Sequence, residues 1–166
     1  DSILAVAGSL DLTVGGPSLA INEAPFPPRR SIYGLVDRSS LDGVYRTFDF
    51  AMPDATNPKR FVTTVPQQAL YLMNSPFIRE QVKRIAESVE RESGGKDLTA
   101  EVGPEARDER FVRQLYHRVL AREPETRELQ LGLTFLGQSA SGNEPLSPLA
   151  QLAQVLMLTN EFTFVD

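Results

Sequence analysis

The sequence predicts a mainly α-helical domain: a helical, bundle-like body, with a small β element and long irregular loops in residues 11–64. Three observations predict it. After residue 65, apolar residues recur in four stripes at helical spacing. The stretches so marked open on Ser-Pro or on other proline-led steps, which fit a first helical turn. The front of the chain instead concentrates glycine and proline, which favour turns. At 166 residues, one domain spanning 1–166 is expected, long enough to bury a core.

In chain order, residues 1–9 read as the tail of a helix, with Ile3, Leu4 and Ala7 on one face and Gly8 as the stop. Residues 11–30 read as loop. Within them, Gly15-Gly16-Pro17-Ser18 lacks the spacing and the lysine of a phosphate loop and reads as a turn. Ser31 to Val36 reads as a short strand, and Tyr45 to Phe50 as a second extended piece. Residues 51–60 carry turn chemistry in Pro53-Asp54 and Asn57-Pro58.

The stretch Arg60 to Asn74 joins the irregular front to the helical back. Thr64 and Gln67 have capping-box spacing, and Pro66 fits the first turn. Ala69, Leu70 and Met73 then offer an apolar face. Ser75-Pro76 closes this helix and opens the next, whose stripe is Ile78, Val82, Ile85 and Val89. Glu80 with Arg84, and Glu87 with Arg91, stand in the favourable i,i+4 order on its solvated side. Ser93-Gly94-Gly95 stops it, and residues 93–103 read as a mobile connection. Phe111, Val112, Leu115, Tyr116, Val119 and Leu120 make a broad buried face. Glu123-Pro124 breaks the chain, and Leu129, Leu133 and Leu136 continue as helix. Residues 137–143 read as a polar loop. Ser147-Pro148 caps a last helix with Leu149, Leu152, Ala153, Leu156 and Met157 inside.

Composition bounds the chemistry. Hydrophobic residues at 41% and charged residues at 23% are ordinary for a soluble globular chain. The net charge of -5 and the lack of a basic run make nucleic acid an unexpected partner. No apolar run approaches the roughly 18 residues of a membrane span. The absence of cysteine excludes a disulfide scaffold, a thiol nucleophile, cysteine-ligated zinc and C-x-x-C-H haem. With one histidine as well, neither a transition-metal site nor a haem or other cofactor is expected. That histidine, His117, falls on the far side of its helix from the apolar face, and no G-x-S-x-G elbow accompanies it.

Two polar groups are candidate sites. Asp49, Asp54 and Asn57 lie in one loop. They suit turn and cap hydrogen bonding, a hard cation such as calcium, or the paired carboxylates of glycoside hydrolysis. Arg29, Arg30, Arg38 and Arg60 suit a carboxylate, a sulfate or a partner's acidic surface. The plainer alternative pairs them with Asp37, Asp42, Asp49 and Asp54, giving an internally salt-bridged segment. The candidate binding set is therefore Arg29, Arg30, Arg38, Asp49, Asp54 and Arg60. No catalytic residue is assigned.

These residues also carry a family resemblance. Asp1 to Gly8, Gly15 to Ser18, Arg29 to Tyr33, Phe48 to Phe50, Arg60, Thr63 to Leu70 and Asn160 to Asp166 are similar to successive motifs of one family. The chain resembles the planctomycete-type C-terminal domain of unknown function, number fifteen fifty-three. Val65 adds a residue before Pro66 relative to the motif. The resemblance implies the C-terminal part of a larger domain, in a large exported protein that often carries a c-type cytochrome segment. It implies a periplasmic setting and other domains of the same protein as partners. It brings no assigned activity, and the haem motif is absent here. The opening Asp-Ser-Ile-Leu, without an initiator methionine, agrees with a piece of something longer. The expected function is a non-catalytic structural or interaction module. The alternative is part of a carbohydrate-active enzyme whose acidic loop, Asp49 to Asn57, lines a site.

Overall fold

The computed structural model describes residues 1–56, 58–59, 63, 65–93, 103–138 and 145–163. Among them are eight α-helices: α1 (Ser2–Val6), α2 (Gly43–Thr47), α3 (Pro66–Asn74), α4 (Pro76–Glu92), α5 (Pro104–Leu120), α6 (Thr126–Gln138), α7 (Pro148–Met157) and α8 (Asn160–Thr163). A 3₁₀ turn spans Ser31–Tyr33. The fold is mainly helical, as expected.

The core forms where the apolar stripes meet. Ile78, Val82, Ile85 and Val89 of α4 are fully buried. They pack with Val112, Leu115, Tyr116 and Val119 of α5 and with Leu149, Leu152, Ala153, Leu156 and Met157 of α7. Leu129, Leu133 and Leu136 of α6 lean on this cluster, half-buried. Proline stands in the first turn of α3, α4, α5 and α7, where its missing N–H is not needed. The Ser147 hydroxyl accepts the Ala150 N–H at 3.3 Å and caps α7. At α1, Gly8 takes the left-handed backbone (φ 68°) that ends the helix. Close packing of α6 on α5 depends on Gly132, since a Cβ there would stand 2.9 Å from Val112 Cγ1. Glu80 and Arg84 pair at 2.9 Å, whereas Arg91 donates to Ser88 rather than to Glu87.

Four expectations are corrected. Ser31 to Val36 forms no strand. Its β-branched and aromatic residues lie in the 3₁₀ turn and the chain beyond it, and the only pairings seen among the described residues are isolated bridges, Asp11 to Arg29 and Leu19 to Gly34. The stretch Tyr45 to Phe50 is not extended. Asp42 accepts the Val44 N–H at 2.8 Å and starts α2 there. The N-cap of α3 is Val65, so the Thr64–Gln67 capping box is out of register; Thr64 itself lies outside the described residues. Finally, α3 turns Leu70 and Met73 to solvent and buries Leu72 and Gln68. The connection at 94–102 and most of the polar loop, 139–144, also lie outside the described residues.

Candidate functional site

The candidate residues are set by how the front segment is fastened to itself and to the helices. At the first fastening, the Asp1 carboxylate accepts the Arg30 Nε–H at 3.0 Å and the Ser31 N–H at 2.6 Å. Arg29 donates to the Gly15 carbonyl at 2.6 Å and stacks over the Tyr33 ring at 4.3 Å. Tyr33 in turn accepts the Gly15 N–H through its hydroxyl at 2.9 Å. Gly15 and Gly16 both have positive φ, which lets the loop curl over the guanidinium. Asp11 stands 3.9 Å from Arg29, and the Thr13 hydroxyl and N–H hold its carboxyl below its ordinary pKa. The Gly15–Ser18 turn is thus an arginine clasp.

A second fastening lies at the junction with α3. The Asp49 carboxylate accepts the Thr63 N–H at 2.7 Å and the Thr63 hydroxyl at 2.8 Å. Gln68, buried on α3, donates through Nε2 to the Thr47 and Thr63 carbonyls, each at 3.0 Å. Phe48 packs edge-on against Tyr71, with centroids 5.5 Å apart. A further aromatic contact, Phe26 on Phe77, ties the proline-rich loop to α4 at 5.4 Å.

The expected pairing of arginines with the local aspartates does not occur among the described residues. Arg29 and Arg30 reach back to Asp11 and Asp1 instead. Asp37 is taken by the Ser39 N–H and hydroxyl, which hold its carboxyl below the usual range, and Asp42 caps α2. The reason is geometric: an aspartate bonds its own backbone two residues on at little entropic cost, whereas a salt bridge must order two long side chains.

The six candidates are therefore not one constellation. Arg29, Arg30 and Asp49 are committed to the two fastenings. Asp54 is exposed on its turn, and Asn57 and Arg60 lie outside the described residues. Arg38 is exposed and lines a cleft of about 540 Å3 with Val36, Phe50, Ala51, Met52, Pro53 and Ala55. Among the described residues, no group of three His, Asp or Glu side chains is placed to hold a metal ion, and no helix is long and apolar enough to cross a membrane.

Sequence reasoning missed the arginines of α5 and its end. Arg118 donates to the Val6 carbonyl at 3.1 Å, to Ser88 Oγ at 2.7 Å and to Glu92 at 3.0 Å, joining α1, α4 and α5. Ser88, then Arg118, holds the Glu92 carboxyl below its ordinary pKa. Arg122 forks onto Glu128 at 2.7 and 2.8 Å and onto Glu161 at 2.6 and 2.9 Å. Bidentate acceptance by Glu128, seconded by Glu161, pushes the guanidinium pKa up; the same contact holds Glu128 down to about 2. The available signal was an arginine and a glutamate on either side of the Pro124 break. His117 is exposed on α5, as expected, beside Arg113 and Glu123.

These features define a helical domain whose front segment is fastened by its own polar motifs. The family model of PSD1, described as a protein of unknown function (DUF1553), matches residues 1–136, and the chain belongs to that family. The match ends within α6, while α7, which lies beyond it, packs in the same core. No curated protein and no solved structure matches the chain.

Proposed function

We propose that the chain is a non-catalytic structural or interaction module of an exported, multidomain protein, and that its setting is the periplasm. One observation supports the non-catalytic reading above the others. The polar residues of the family-like motifs spend their hydrogen bonds on one another: Asp1 on Arg30, Gly15 on Arg29 and Tyr33, Asp49 on Thr63, Gln68 on Thr63. Groups so engaged build a scaffold, and none of these motif residues is left as a poised acid, base or nucleophile. A glycosidase would need Asp49 and Asp54 as partners across a sugar, one of them held in an apolar pocket. Both oxygens of Asp49 are instead occupied by Thr63. Export, the periplasmic setting and neighbouring domains rest on the family resemblance, as does placement in the C-terminal part of the parent protein.

The test expresses this chain apart from the remaining segments of its parent protein and mixes the two. Co-elution on size exclusion is expected, together with recovery of the intact protein by osmotic shock. The reading is overturned if the full-length protein cleaves a glycan and a folded Asp49→Asn or Asp54→Asn variant does not.

A further inference from the structure

We infer that the cleft at Arg38 receives an extended peptide segment bearing acidic and apolar side chains, and that this is where the module engages its partner. The inference rests on the interaction-module reading above.

The first argument is what Arg38 lacks. Arg29 and Arg30 are consumed in the front fastening. Arg38 makes no ion pair or hydrogen bond among the described residues, and its neighbour Asp37 is turned onto Ser39. An exposed guanidinium whose neighbouring carboxylate is turned onto Ser39 presents a free planar fork, the shape that matches a carboxylate. The surroundings sharpen this. Residues 29–60 contain five arginines and one lysine against four aspartates and no glutamate, in a chain whose net charge is -5. Two of those arginines are set against Asp11 and Asp1, outside that range, so the cation that faces a partner at the cleft is Arg38 itself, and it favours an acidic side chain.

Apolar walls supply the second argument. Val36, Phe50, Met52 and Pro53 form them, and the cleft volume of about 540 Å3 is that of a ligand cleft. Leu35 and Met52 are 56% and 44% exposed, so apolar surface continues onto the rim. A glycan would need several polar side chains on those walls, and among the described lining residues Arg38 alone supplies one.

The backbone identifies a peptide. The Leu35 N–H is bonded to the Leu19 carbonyl at 2.8 Å, but the N–H and C=O of Val36 make no hydrogen bond among the described residues. Open main-chain groups beside an apolar cleft are the elements of strand addition, in which backbone bonds bind and alternate side chains select. Val36 would pair with the peptide backbone, Phe50 and Met52 would take an apolar side chain, and Arg38 would take the acidic one.

The experiment uses three fluorescein-labelled nonapeptides, alternating Asp-Leu, Lys-Leu and Asp-Ser, read by fluorescence polarisation on the whole chain. The Asp-Leu peptide is expected to bind, with the other two about tenfold weaker or worse. Arg38→Glu and Arg38→Gln, each with an unchanged melt, are expected to lose about tenfold for Asp-Leu. Arg46→Glu, on α2 outside the cleft, is expected to bind as wild type. The assignment is overturned if no peptide binds, if all three bind alike, if both Arg38 variants bind normally, or if Arg46→Glu loses as much. If the rest of the parent protein still co-elutes with Arg38→Glu, the interaction reading stands and only the cleft falls.

Discussion

Asp49 and Thr63 meet twice: the carboxylate of one accepts both the N–H and the hydroxyl of the other, at 2.7 and 2.8 Å. Asp49 holds left-handed backbone, φ 55°, which aspartate and asparagine tolerate better than other non-glycine residues. The pair therefore fixes the approach of the chain to α3 by a side chain and by a backbone that suits it.

Removing that carboxylate is expected to destabilise the fold. Asp49→Ala loses two hydrogen bonds and places alanine in the left-handed region, a loss of about 1–2 kcal/mol. Asp49→Asn keeps one good acceptor and the backbone tolerance, so it should fall between alanine and wild type. Urea melts order the three. Equal midpoints would show that the Thr63 contact contributes nothing to stability.

The Tyr45 hydroxyl is buried without a hydrogen-bond partner among the described residues, directly over Gly34. Burial, with Asp42 adding to it, pushes its pKa up. Tyr45→Phe removes an unsatisfied polar atom and keeps the ring on Phe50, 5.0 Å between centroids. It is expected to leave stability unchanged or to raise it by about 1 kcal/mol. A clear drop in melting temperature would mean that the hydroxyl is bonded in solution.

Gly132 tests the seam between α5 and α6. In an open helix, alanine would gain about 1 kcal/mol over glycine. Here its Cβ would stand 2.9 and 3.0 Å from the two methyls of Val112, a stiff, fully buried side chain. Overpacking of that kind costs about 1–3 kcal/mol, so Gly132→Ala is expected to be net destabilising by about 1 kcal/mol. Adding Val112→Ala should cost less in the Gly132→Ala background than alone. Additive effects in a double-mutant cycle would contradict the contact.

How much of this was legible follows from range along the chain. The stripe of α4 and the inner face of α7 were readable because apolar spacing alone sets them. The face of α3 was not. Ala69, Leu70 and Met73 compete with Tyr71 and Leu72 for the core, and the choice goes to the face that carries Gln68, whose amide satisfies two carbonyls. No local pattern marks a glutamine for burial. Strand propensity at Ile32 to Val36 was overridden for want of a continuous partner, Leu19 supplying a single bridge. The arginines were found, but their acids were not: Asp1 lies 29 residues from Arg30. Proximity in sequence pointed to Asp37 and Asp42, which are occupied by their own neighbours.

The Arg122 fork should make stability depend on acid. Glu128 is held down to about 2 from an ordinary 4.5, chiefly by Arg122 and also by the Glu125 N–H. A carboxyl whose folded pKa is depressed contributes stability fully above its unfolded pKa, and loses it as pH falls through the folded one. The contribution is therefore intact above about pH 5, declines below the ordinary 4.5 and is gone near 2. Glu128 and Arg122 are 29% and 35% exposed, so solvent screening reduces the effect to about 1 kcal/mol, well below what the shift alone converts to. Glu128→Gln should melt lower than wild type at pH 7, and the gap should close as the pH approaches 2. Glu161→Gln should show a smaller gap of the same sign, because Glu161 is the second and more exposed acceptor. Melting both variants across this range in low salt checks the order. A gap that stays constant down to pH 2 would mean that the stabilisation comes from packing around Tyr116, over which Arg122 lies at 5.5 Å, and not from the carboxylate.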